Sequence, residues 1–112
     1  MQISQRSVGG VTVLDLTGRL TVGPDERELA PLRTPICDLV NVGCVDLVVN
    51  LSELTSIDAR GLGELAAAMK TVRMAGGRLT LMAAAPRVAR MLAITRLDTI
   101  FEWCDARQEL AV

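Results

Sequence analysis

Histidine is absent from this 112-residue sequence, and its absence excludes more chemistry than any residue present establishes. No Ser-His or Cys-His nucleophile pair can form within the chain. Catalysis through Lys or Asp would lack the usual general base, so the chain is read as a non-enzyme with no catalytic residues. Zinc would find only Cys37, Cys44, Cys104 and carboxylates, at spacings unlike a compact zinc site, and neither a metal nor a cofactor is expected. Three cysteines are also an odd number, which suits small buried thiols of a reducing compartment better than a disulfide frame.

Tyrosine is missing too, and one Phe and one Trp leave bases almost nothing to stack on. Charge of either sign is scarce in the net: 12 basic against 13 acidic residues give −1, too weak a field to recruit nucleic acid or anionic lipid. No apolar run approaches the roughly 18 residues of a membrane span, so direct membrane insertion is not expected. The start, "MQISQRSVGG", has neither the basic flank nor the apolar stretch of a secretory signal. The cytoplasm is the expected compartment.

What is present describes a compact fold. Half the residues are hydrophobic and 22% are charged, and the length suits one domain, residues 1–112. Residues 3–8 and 11–16 are strand-like on either side of Gly9-Gly10, which predicts a hairpin. Asp25, Glu26 and Glu28 after Pro24 predict an opening helical turn over 25–29. Pro31 and Pro35 are expected to disturb the helix begun there, leaving a better helix over 32–41 that Gly43 ends. Residues 45–51, "VDLVVNL", suit a strand covered on both faces. Leu62, Leu65, Ala66, Met69 and Val72 then recur at helical spacing, with Glu64, Lys70 and Arg73 elsewhere on the wheel and Gly76-Gly77 as the stop. A strand over 78–83, a short helix opened by Pro86 and a short strand in "DTIFEW" follow. Asp105 and Gln108 resemble a capping box for a last helix. The order predicts an α/β fold, a mixed sheet of about five strands with helices packed against it, parallel after the first hairpin.

In such folds partners gather at the carboxyl ends of strands, which directs attention to "SIDARGLGEL". Asp58 stands where a helix N-cap belongs, able to accept from the amides at 60 or 61. Gly61 and Gly63 strip side chains from the first turn and would let another surface come close. Arg60 faces an unfavourable helix dipole, to be compensated by Asp58 or by an acid on a partner. Plain readings run alongside: a structural cap, packing spacers and a solvated arginine. No phosphate-loop pattern is present, and "GLG" alone is weak evidence for nucleotide binding.

"VVNLSELTSIDARGLGEL", continuing through "AAAMKTVRMAGGRLTLMAAAPRVARMLAITRLDTIFEW", resembles the signature region of STAS domains of the anti-sigma factor antagonist kind. The resemblance implies a partner-binding site over Ser56, Asp58, Ala59, Arg60, Gly61, Leu62 and Gly63. The partner it implies is an anti-sigma factor with a GHKL-type serine-kinase fold. It further implies a phospho-acceptor Ser or Thr directly after the Asp of the turn. Here that position is Ala59, which has no hydroxyl, and only Thr55 and Ser56 offer one nearby. Three consequences stay open: constitutive binding, tuning of partner choice by Arg60, or service as a regulatory or structural subunit of a sensory complex or transport system. Gly61→Trp is expected to block docking while sparing the fold, and Gly63→Trp to carry the greater risk of disturbed packing.

Overall fold

The computed structural model describes residues 2–20, 32–99 and 101–104. The predicted opening turn at 25–29, the effect of Pro31 and the last helix lie outside the described residues. The hairpin forms from β1 (Gln2–Val8) and β2 (Val11–Leu20), paired antiparallel with Val8 opposite Val11. Gly9 and Gly10 both take positive φ, 56° and 84°, the conformation a two-residue hairpin turn needs. The remaining elements are α1 (Arg33–Asn41), β3 (Asp46–Ile57), α2 (Ala59–Met74), β4 (Arg78–Met82), α3 (Pro86–Ile94), a 3-10 turn at Leu97–Thr99 and β5 (Glu102–Cys104). Pro35 falls in the first turn of α1, where its missing N–H has no intrahelical partner to lose, and the helix runs through it.

The strands lie in the order β1-β2-β3-β4-β5, and β2 to β5 are parallel. Each parallel connection steps one place in the same direction, so right-handed crossovers put α1, α2 and α3 on one face. The core follows that geometry. Leu14, Leu16, Leu47, Val49, Leu51, Leu79 and Leu81 meet Ile36, Leu65, Val72, Val88 and Leu92 from the helices. A smaller cluster of Val13, Val48 and Met82 occupies the opposite face.

Strand β3 runs six residues beyond the predicted end at Leu51. Its inward positions pass from Leu47, Val49 and Leu51, alternating, to Leu54 and Ile57, three apart. Register shifts against β2 fall between Asp15 and Thr17 and between Gly18 and Arg19, each adding one residue on the β3 side. An inserted residue resets the alternation, so the strand continues although its period-two pattern does not. This extension delivers the chain to the corner before α2.

Candidate functional site

The corner is built around Asp58. Its backbone is extended, φ −110° and ψ −178°, and its Oδ1 accepts from the Gly61 N–H at 2.7 Å. The Asp58 N–H donates to the Leu20 carbonyl at 3.3 Å, and the Asp58 carbonyl accepts from the Leu62 N–H at 2.9 Å. One residue thus ties the end of β2, the end of β3 and the first turn of α2 together. A side-chain cap of this kind contributes about 1 kcal/mol.

The two glycines have different jobs, and not the ones the sequence predicts. Gly61 is buried, and a Cβ there would lie 2.0 Å from the Leu20 carbonyl oxygen and 2.9 Å from Ile57 Cγ1. It lets α2 seat on the sheet and opens nothing to a visitor. Gly63 is exposed, with nothing within 4 Å of a Cβ. The substitution that spares the fold is therefore at Gly63, and Gly61→Trp would wreck the seat. Leu62, also expected at the partner surface, is a core residue, 3% exposed.

The accessible part of the corner is Ala59, Arg60 and Gly63, flanked by half-buried Ser56 and Asp58 and continued along α2 by Ala67 and Lys70. Arg60 makes no hydrogen bond or ion pair with another described residue, so Asp58, engaged as the cap, is not its compensation. Of the two hydroxyls near Ala59, Thr55 donates to the Gly18 carbonyl at 2.8 Å, whereas Ser56 makes no side-chain hydrogen bond to a described residue. Cys37 and Cys44 are half-buried free thiols, not fully buried as expected.

Sequence reasoning also misplaced Glu64. Grouped with Lys70 and Arg73 on the outer wheel, it is in fact 8% exposed and turned into a cleft beside α1. The signal was its spacing, three residues after buried Gly61 and four before buried Ala68.

On the far face of the sheet a polar ladder crosses three strands. Arg6 Nε donates to Asp15 Oδ2 at 2.8 Å, Asn50 Nδ2 to Asp15 Oδ1 at 2.7 Å, and the Ser52 N–H to Asn50 Oδ1 at 3.0 Å. Burial, the largest single influence on the Asp15 carboxyl, pushes its pKa up. The bonds from Arg6 and Asn50 and the Arg6 charge together outweigh burial and hold it below the usual carboxylate value.

The described residues thus form a mixed sheet with α1, α2 and α3 on one face and an Asp58-capped corner at the end of its central strand. The chain belongs to the STAS domain family: the model described as Mlab, STAS domain, matches residues 3–102. It is 35% identical over 72 residues to the TM1081 homolog of Thermotoga neapolitana, named as a candidate anti-sigma factor antagonist. That match spans 64% of each chain. The crystal structure of TM1081 from Thermotoga maritima superposes with a TM-score of 0.81 at 24% identity, covering 98% of this chain and 95% of that one. The anti-sigma factor antagonist SpoIIAA in its unphosphorylated form gives 0.69 at 20% identity, over 98% and 94% of the two chains. The fold is that of the anti-sigma factor antagonists.

Proposed function

We propose that this chain is a non-enzymatic protein-binding module of the anti-sigma factor antagonist kind. In this reading it acts in a bacterial cytoplasm on an anti-sigma factor with a GHKL-type serine-kinase fold. The observation that carries the reading is a corner locked behind and bare in front. Asp58 and Gly61 fix the start of α2 against Leu20 and Ile57, while Ala59 and Gly63 expose little more than backbone. Such a surface binds by being held in shape before contact, which spares the ordering cost of association. Arg60 adds a cation without a partner among the described residues, suited to an acidic group across the interface.

Position 59 also sets the regulation. A phosphate would bring about −1.5 to −2 charge to this helix start, but Ala59 has no oxygen to carry it. Binding is then constitutive with respect to that residue and follows abundance, with Arg60 selecting the partner. The same missing hydroxyl, which removes the usual switch, favours a second reading: a regulatory or structural subunit of a sensory complex or transport system.

Co-purification from the native host separates the two. Recovery of a GHKL-type anti-sigma factor supports the first, and recovery of permease or sensor subunits the second. In the binding assay, Gly63→Trp should abolish the interaction with the fold intact, and unchanged capture would count against the corner as the docking surface.

A further inference from the structure

Strand β1 is an edge of the sheet, and its free side carries none of the devices that usually block strand pairing. It pairs without a break from Gln2 opposite Thr17 to Val8 opposite Val11, and β2 is its only neighbour among the described strands. Proline, lysine, bulges and short length are the common protections of an edge. "QISQRSV" has neither proline nor lysine, and the register shifts fall between β2 and β3, not here. Its one charged residue, Arg6, is engaged by Asp15. The edge at the other end of the sheet, β5, is only three residues long.

The hairpin decides which backbone groups face outward. A two-residue turn makes Val8 and Val11 a hydrogen-bonded pair, and such pairs alternate along an antiparallel ladder. The N–H and C=O groups of Gln2, Ser4, Arg6 and Val8 therefore point to β2, and those of Ile3, Gln5 and Ser7 point away. The latter three make no backbone hydrogen bond to another residue on that side, so their outward groups face solvent in the free chain.

We propose that β1 pairs antiparallel with β1 of a second copy, about a two-fold axis at Gln5. The inference is independent of the partner at the Asp58 corner. In this register Ile3 meets the second copy's Ser7 and Gln5 meets Gln5, so every outward group of the three residues is paired. Arg6 then stands opposite Ser4, and no like charges face each other. An axis one position on, at Arg6, would oppose two arginines, which is unfavourable. An axis one position back, at Ser4, would set Ser7 against residue 1, outside β1.

The side chains agree with the backbone. Ile3, opposite Leu16, and Gln5, opposite Leu14, lie on the face that carries the helices. The Gln5 register sets the second copy's Ile3 beside Ser7, at the mouth of a groove lined by Gln5, Ser7, Thr12, Leu39 and Cys44. That groove holds about 380 Å³, ample for an aliphatic side chain when one liquid water takes roughly 30 Å³. Ile3 is half-buried in the single chain, and pairing would remove more of it from water. The helices of both copies share one face of the joined sheet, and the two Asp58 corners stand at its opposite ends.

Sedimentation velocity of the full chain over a concentration series tests the dimer, since one strand pair is a small interface and its association is concentration-dependent. The wild-type chain should exchange reversibly between monomer and dimer. Gln5→Lys and Gln5→Glu, at an exposed position, set like charges opposite each other. Each should weaken self-association by about threefold or more, and an equimolar mixture of the two should restore it. A wild-type chain that stays monomeric up to millimolar concentration would overturn the proposal. So would association undiminished in both variants, or lost in both and not recovered on mixing. NMR of the wild-type chain gives a reading that needs no variant: dilution should shift the amide signals of Ile3, Gln5 and Ser7 and leave that of Gly63 in place. Shifts confined to other residues would place the contact elsewhere and overturn the β1 pairing.

Discussion

Gly61 and Gly63 are chemically identical and two positions apart, yet they answer opposite demands. Gly61 is squeezed between α2 and the Leu20 carbonyl, and Gly63 has open space around it. Gly61→Ala should therefore destabilise the fold by about 1–3 kcal/mol, the usual range for overpacking. Gly63→Ala, at an exposed interior helix position, should stabilise it by about 0.5–1 kcal/mol. Urea unfolding of the two variants checks both signs. Nothing local in "RGLG" separates the glycines, because the atom that decides between them belongs to β2, far back in the chain. The Asp58 cap was legible for the converse reason: its acceptor and the Gly61 donor lie within one turn, where sequence spacing fixes geometry.

Among the elements, the helices were read best where their stripes were regular. Val88 and Leu92 of α3 are buried, while Met91 is only partly so. Strand β3 was read short, since two bulges broke the alternation on which its reading depended. Glu64 was misread because a helix packed against both a sheet and a neighbouring helix buries a broader arc than its apolar residues mark.

The ladder across β1, β2 and β3 carries a pH prediction. With its folded-state pKa depressed, Asp15 binds a proton less readily in the folded chain than in the unfolded one. Its contribution is full above the unfolded carboxylate value and fades as pH falls through the lower folded value. Asp15→Asn should make the stability loss shallower below about pH 4. The change at neutral pH should be small, because the Arg6 side chain is 43% exposed and its pair with Asp15 is screened by water. Thermal unfolding at stepped pH, variant beside wild type, reads the difference.

At the scale of the whole molecule, the parallel order was legible because strands alternating with helices admit few connections, and handedness removes most of those. The family resemblance was legible for a related reason: one ordered run of motifs spans most of the sheet, and the family model matches residues 3–102. What neither discloses is which molecule meets the corner, since that information lies in the partner. The account makes a chemical demand on that encounter. Incubated with a cognate serine kinase and ATP, the chain should gain no phosphate at position 59, and Ala59→Ser should create an acceptor there. Peptide mass spectrometry gives the answer, and stoichiometric phosphate on native Ser56 or Thr55 would contradict constitutive binding.

The most direct test of the central claim is titration calorimetry of the co-purified partner against the wild-type chain and Gly63→Trp, with circular dichroism to verify the fold. The account predicts an unchanged spectrum and affinity weaker by at least about tenfold, as when a bulky group is placed at the centre of an interface. Equal affinity for the two chains would contradict it.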